Sequence, residues 1–494
     1  MAWDSGAMKG VHVMKGRATG ERVTVKKGER FGIVILGGGS AAFAAALKAT
    51  ESGADVAICE EHVIGGTCLN RGCIPSKSLL KASEVFYYSV RQPFQGIEVP
   101  KGKVDLARLI EQKDDLVHSL RQEKYLNILS GNKKIHYFRG TALFISENEV
   151  KVEDQTLFGE RFIVATGATP QIIPFKGIEK VDFLNSTTAL DLKELPSSMV
   201  IIGGRFVAVE MAQLFAHFGT RVTILQRSER IIPEEEEEIS EGLKKYLEEE
   251  GIKVITGVKI LELYKKGKRQ VVKAEIDGGI REFEGERLLM ATGITPNTKA
   301  LNLEAAGVMV DGHGFIETDD YMRTSNHKIF AAGDVAGRMP LVTVAAVEGS
   351  VAAQNALNMD SPKSIDYSVI PHAIFTQPNV AVAGLTEKDA VTKGFSVISR
   401  TLDLRHVPKA RAVWDTRGLI KIVAEQATGT IIGVHILAPE AAEVIHQAVL
   451  IVKNKMTLKD AAEKIDVYPT LSEMVKLCAQ SFYKDIKKLS CCAD

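Results

Sequence analysis

The sequence predicts an α/β fold with two Rossmann-like dinucleotide-binding domains and a C-terminal α+β domain. Three observations carry this. An apolar strand runs into Gly37-Gly38-Gly39-Ser40-Ala41-Ala42, and the same grammar returns at Gly203-Gly204-Arg205-Phe206-Val207-Ala208. Each unit is followed at a distance by an apolar strand ending in Ala-Thr-Gly, Ile163 to Gly167 and Leu288 to Gly293. From about Ser364 the pattern changes to alternating strands followed by helical stretches.

In order along the chain, residues 1–30 form a polar tail without cysteine. Phe31 to Leu36 is a branched apolar strand, Phe43 to Thr50 an Ala-rich helix, and Asp55 to Cys59 a second strand ending at Glu60, which completes a βαβ unit. Met199 to Ile202, a helical Glu210 to Phe218 and Arg221 to Leu225 repeat it. Ile329 to Asp334 returns the chain to the first unit, so the expected domains are 31–175 with 297–363, then 176–296, then 364–494 with a Cys-Cys tail. Glu234 to Glu238, after Pro233, is expected to open a solvated helix, where acids suit the positive end of the dipole.

The 494 residues are ordinary in composition, 45% hydrophobic and 25% charged. Basic and acidic residues balance at 62 each, which gives no global field for nucleic acid or anionic membrane. No run approaches the roughly 20 apolar residues of a membrane span. Met1 to Gly28 lacks the long apolar core of a secretory signal, so a cytoplasmic protein is expected. Six cysteines are too few for a secreted disulfide framework, but Cys68 with Cys73 and Cys491 with Cys492 form two pairs.

A lone glycine motif is weak evidence. Gly37, Gly39 and Ala42 gain weight from standing between strand and helix, with Glu60 placed to accept ribose hydroxyls. In the second unit, Gly203 keeps the tight turn, while Arg205 replaces the middle glycine and either crowds a pyrophosphate or places a cation beside it. Gln226 stands where an NAD site has an acid, and Arg227 and Arg230 follow, which favours a 2′-phosphate and hence NADPH.

Between these units lies Gly65-Gly66-Thr67-Cys68-Leu69-Asn70-Arg71-Gly72-Cys73-Ile74-Pro75-Ser76-Lys77. The two cysteines are expected at successive turns of a helix start, close enough for a disulfide, where the positive helix end lowers thiol pKa. With the two nucleotide motifs, this segment resembles the flavin-dependent pyridine-nucleotide disulfide oxidoreductases over nearly all of residues 31 to 489. The resemblance implies FAD in the first site, NADPH or NADH in the second, and a C-terminal domain that forms a two-fold homodimer with active sites shared between subunits. It places Cys73 facing the flavin, Cys68 as the outer thiol, and Lys77 paired with Glu210. Thr67, the backbone at Ala142 and Val342, Asp334 and Gly167 would hold other parts of FAD.

In thiol-exchanging members a histidine, supported by a glutamate five positions later, shuttles protons. Here Tyr468 takes the histidine's place before Glu473. A tyrosine, with a pKa near 10, is poorly suited to that proton transfer, but its oxygen can approach a bound metal. Together with Cys491, Cys492 and the run Val407 to Ala412, this resembles the family's mercury-reducing members. That likeness implies Hg(II) as substrate, held by Cys68, Cys73, Cys491, Cys492 and Tyr468, and reduced to Hg(0). The spacer Leu69 to Gly72 equally suits a dihydrolipoamide dehydrogenase-like dithiol reductase, and a non-catalytic soft-metal-binding flavoprotein is the third reading. Phe206, where relatives have tyrosine, is expected to cover the flavin, and Cys59 and Cys478 to be packing thiols.

Overall fold

The computed structural model describes residues 29–100 and 102–486, so the expectations for residues 1–28 and for Cys491 and Cys492 fall outside it. Arg30–Leu36 (β1), Ser40–Glu51 (α1) and Val56–Glu60 (β2) form the first βαβ unit. Ile33, Val34, Ile35 and Leu36 are fully buried. A strand covered on both faces reads as a continuous apolar run, and each such side chain contributes about 1.5–3 kcal/mol by leaving water.

β1 lies parallel between β2 and Gln155–Val164, β2 continues to Ile135–Arg139, and Ile329–Ala331 pairs with Gln155–Val164. The antiparallel strands Glu149–Val152 and Ala142–Ser146 complete a seven-stranded sheet. The second unit has a parallel five-stranded sheet ordered Lys253–Ile255, Arg221–Leu225, Ser198–Ile202, Arg287–Met290, Phe183–Leu184. It carries a three-stranded antiparallel meander over Lys259–Lys266, Arg269–Ile276 and Gly279–Gly285. Ala168–Pro170 pairs antiparallel with Ile294–Pro296 where the chain passes between the units. The C-terminal part is a five-stranded antiparallel sheet backed by the helices Ala441–Lys453 and Glu473–Gln480. The α/β fold with two Rossmann-like units and an α+β part is therefore the observed one.

The charge run departs from expectation. A helix does open there, at Glu237, with Glu237 and Glu238 in its first turn. Glu235 and Glu236, however, are buried rather than solvated. His372 Nε2 meets Glu235 Oε1 at 2.7 Å, and the Lys421 ammonium reaches Glu236 at 3.0 Å, Glu238 at 3.0 Å and Glu387 at 2.9 Å. Burial works against the Lys421 charge, but the surrounding carboxylates outweigh it and hold its pKa above the ordinary lysine value. The acids face partners from the C-terminal sheet, which local charge patterning does not reveal.

Candidate active site

The cysteine segment folds as two helices rather than one. Gly66–Asn70 (α2) carries Cys68; the chain breaks at Arg71 and Gly72, and Cys73–Arg91 (α3) begins on Cys73 itself. This corrects the expectation of successive turns. The break is held by Asn70, whose Nδ2 donates to the carbonyls of Gly66 at 2.9 Å and Ile64 at 3.1 Å while its Oδ1 accepts from Arg121 Nε at 2.9 Å. Arg121 ends Leu106–Arg121 (α4), which runs into a π-helical turn over Gln122–Leu126. Tyr125 of that turn packs edge-on against Phe43, with ring centroids 4.6 Å apart.

When the pair is reduced, Cys68 donates a hydrogen bond to Cys73. That bond, opposed by burial and reinforced by the Lys77 charge, lowers Cys73 from the ordinary thiol range to about 7. The same bond raises Cys68, and burial adds to it. Cys73 also stands at the uncapped, positive end of the long helix α3. The dithiol is therefore asymmetric, with the thiolate on Cys73. Alkylation of Cys73 by iodoacetamide in the reduced protein is expected to rise with pH around a midpoint near 7, against about 8.5 for an ordinary cysteine. Lys77→Met should move that midpoint upward; a midpoint of about 8.5 in the unsubstituted protein would contradict the asymmetry.

One turn along α3, the Lys77 ammonium donates to Glu210 Oε1 at 3.1 Å and Oε2 at 2.9 Å. Glu210 is buried in the helix Phe206–His217, and its Oε1 also accepts the Phe375 N–H at 2.9 Å. Lys77 Nζ lies 4.6 Å from the centre of the Phe375 ring. Thus the cysteine helix, the second nucleotide unit and the C-terminal sheet meet at one ion pair. Removing Lys77 would strand the Glu210 carboxylate, whose side chain is 7% exposed.

At the first nucleotide motif, Gly37 has φ +113°, and a Cβ there would stand 2.2 Å from the Ala165 carbonyl oxygen. Gly39 is the N-cap of α1, whose first turn carries no side-chain cap, and Ala42 is buried behind it. Gly37, Glu60, Ala142 and Thr166 line one cavity of about 350 Å³. Glu60 Oε1 accepts the His62 N–H at 2.8 Å. Gly167 accepts from the Asn297 N–H at 3.0 Å, and Asn297 Nδ2 donates to the Thr166 carbonyl at 2.8 Å. Asp334 opens a short 3-10 turn, and burial pushes its carboxyl upward. Val342 begins an uncapped helix, and Thr67 is exposed beside Cys68.

The second motif repeats the first: Gly203 has φ +120°, and its Cβ would stand 2.1 Å from the Ala291 oxygen. Arg205 is the N-cap residue of the helix Phe206–His217, and its guanidinium is drawn aside to Glu234 at 2.5 Å. Gln226 is buried, Arg227 is exposed, and Arg230 Nη1 is buried without a hydrogen-bond partner, with Glu237 at 3.8 Å. Phe206 stacks on His372, with centroids 5.5 Å apart and planes at 15°.

Tyr468 lies half exposed near Ile465 and Val467, which are 96% and 78% exposed, so this edge of the C-terminal part presents an apolar strip. Glu473 Oε2 accepts the Thr470 N–H at 3.0 Å and fixes the turn behind Tyr468. Cys59 and Cys478 are buried, and burial pushes both upward, Cys478 to about 12.

The sequence reading did not single out Arg121, Phe375, Asn297 or the His372–Glu235 pair. Each acts through a partner distant in sequence and carries no local motif, except that Asn297 follows Thr295-Pro296 directly after the second Ala-Thr-Gly strand.

A dithiol set at the junction of two dinucleotide-binding units defines a nucleotide-linked dithiol oxidoreductase. The chain belongs to the pyridine nucleotide-disulphide oxidoreductase family: residues 31–349 match that family, and residues 370–479 match its dimerisation domain. Among its relatives is the mercuric reductase of Staphylococcus aureus, 42% identical over 463 residues, covering 94% of this chain and 84% of the relative. The mercuric reductase of Lysinibacillus sphaericus is 42% identical over 473 residues, covering 96% and 86%. Among solved structures, an HOCl-induced flavoprotein disulfide reductase from Escherichia coli superposes with a TM-score of 0.82 at 28% identity, covering 92% of this chain and 100% of that one. A Cu(II) complex of that reductase gives 0.80 at 28% identity, covering 90% and 98%. Among the described residues, no helix is long and apolar enough to cross a membrane.

Proposed function

We propose that this chain is an NADPH-dependent flavoenzyme that reduces Hg(II) to Hg(0). The observation that carries the reading is the Cys68–Cys73 pair at the start of α3, one turn from the Lys77–Glu210 ion pair, in a chain 42% identical to mercuric reductases. The residues present suit the two nucleotides. The turn at Gly37 leaves no room for a Cβ and leads to a helix end without a side-chain cap, which suits the FAD pyrophosphate. Gly39, Ala42, Glu60, Thr67, Ala142, Gly167, Asp334 and Val342 complete that set. Gly203 serves NADPH in the same way, and Arg230, whose Nη1 has no hydrogen bond and only a 3.8 Å ion pair to Glu237, suits a 2′-phosphate together with Arg227.

Bound FAD supplies a two-electron carrier replenished by hydride from NADPH. Lys77, fixed by Glu210, would place a positive charge beside it. Cys491 and Cys492 collect Hg(II), and ligand exchange moves the ion to Cys68 and Cys73, each incoming thiolate displacing one outgoing thiolate. Cys73 enters as thiolate, and Cys68 sheds its proton as it bonds the metal. Two electrons then convert the bis-thiolate-bound Hg(II) to Hg(0), and both sulfurs leave as thiolates with no net oxidation. Such an exchange needs soft ligands and no acid–base histidine, in keeping with Tyr468, whose oxygen approaches the ion in transit.

The chain works as a homodimer in which Tyr468, Glu473 and the tail thiols of one subunit complete the site of the other; the exposed Ile465 and Val467 supply apolar contact for that interface. Its compartment is the cytoplasm, in keeping with six cysteines in 494 residues, too few for a secreted disulfide framework.

The test is anaerobic NADPH oxidation by the purified full chain with Hg(II) and excess thiol, beside lipoamide and oxidised glutathione. Mercury-stimulated turnover with little activity on the disulfides is expected; the reverse would assign a disulfide reductase, the activity named for the solved Escherichia coli neighbour. Replacing Cys491 and Cys492 together by alanine should lower turnover by about tenfold or more when Hg(II) is held by strongly binding thiols. An unchanged rate would remove the tail from the mechanism.

A further inference from the structure

We propose that Glu235 and His372 form a positioning pair that parks the Phe206 ring and so keeps the approach of the nicotinamide clear; this rests on the reading of the Gly203 unit as the NADPH site. Phe206 is the first residue of the helix Phe206–His217, and Glu210 follows one turn later on the same face. The Phe206 ring is therefore a neighbour of the Lys77–Glu210 ion pair, where hydride must arrive. The ring lies flat against His372, at 5.5 Å and 15°. His372 Nε2 is in turn 2.7 Å from Glu235 Oε1, and the two side chains are 17% and 2% exposed.

Glu235 is tied back to the nucleotide turn itself. Its N–H donates to the Ile232 carbonyl at 3.0 Å, and the Ile232 N–H donates to the Gly204 carbonyl at 2.8 Å. A closed circuit thus runs from Gly204 through Ile232, Glu235 and His372 to the Phe206 ring. Phe375, three residues beyond His372, is the aromatic ring that faces the Lys77 ammonium, at 4.6 Å. The Phe206 ring rests on the imidazole. Without that anchor it gains side-chain rotamers that swing it over Lys77 and Glu210, into the space a nicotinamide needs.

The experiment is calorimetric titration of the FAD-loaded full chain with NADP+, in His372→Gln, Phe206→Ala and the double variant. His372→Gln retains a hydrogen-bonding group for Glu235 but loses the stack. It should weaken NADP+ binding by about 3- to 10-fold, the equivalent of one aromatic pair, and raise the KM for NADPH by more than it lowers kcat. In the Phe206→Ala background, which has no ring to misplace, the same substitution should change affinity by less than about 2-fold. Wild-type affinity in His372→Gln, or an equal loss in both backgrounds, overturns the proposal. Should His372→Gln fail to retain FAD, Glu235→Gln, compared in the same two backgrounds, gives the same decision. Failure of Hg(II) turnover would overturn the proposed activity while leaving this binding comparison readable, and a null binding result would leave the Hg(II) reading standing.

Discussion

Replacing Cys73 by alanine is expected to lower Hg(II)-dependent NADPH oxidation by about 10³-fold or more while leaving FAD bound and still reducible by NADPH. Hg(II) passes between thiolates only if the receiving site offers soft ligands in sequence, and Cys73 is the one already ionised near neutrality. Cys68→Ala should be nearly as damaging for a different reason. It removes the hydrogen bond that contributes most to lowering Cys73, so the remaining thiol should titrate above its present value of about 7. The two variants are therefore separable: Cys68→Ala is partly rescued by raising the pH, and Cys73→Ala is not. Steady-state rates with excess thiol, measured across the pH range, decide it. Activity within about tenfold of the parent in Cys73→Ala would exclude that residue as the receiving ligand.

What the sequence made legible was whatever is encoded within one turn or one βαβ unit. The glycines at 37 and 203 announce themselves because strand, turn and helix are contiguous. The cysteine segment does so because its spacing is dense, yet its break into two helices depends on Asn70 and on Arg121, which approaches from α4. Of the acids at 234 to 238, Glu235 and Glu236 are buried for the same reason, since His372 and Lys421 arrive from a sheet that local pattern does not position. Lys77 and Glu210 lie on two helices 133 residues apart, and only family resemblance joined them in advance. Phe375, which seals that pair, carried no signal at all. The meander over residues 259 to 285 is likewise hidden in the sequence, because its charged outward faces obscure the period-two pattern.

The contiguous motifs permit a sharper test, because the two glycine turns are geometrically equivalent and yet serve different nucleotides in the proposed mechanism. Gly37 and Gly203 have φ +113° and +120°, and a Cβ at either would stand 2.2 or 2.1 Å from a carbonyl oxygen of the neighbouring strand end. Alanine in such a conformation costs about 1–3 kcal/mol in backbone strain before the collision is counted, so the turn must move away from the ligand. Gly37→Ala is expected to emerge largely without flavin and with a lowered Tm, since FAD bound to the native state is part of its stability. Gly203→Ala should instead stay flavin-loaded and lose at least about 100-fold in NADPH-driven turnover. When reduced chemically with dithionite, it should still convert one equivalent of Hg(II) to Hg(0) in a single turnover, because Cys68, Cys73 and Lys77 lie outside the displaced turn. Flavin content by absorbance and mercury release by vapour detection read the two sites separately. Flavin loss in Gly203→Ala with retention in Gly37→Ala would reverse the assignment of the sites. Loss of the dithionite-driven turnover as well would show that the second turn holds the dithiol site in place and does more than bind NADPH.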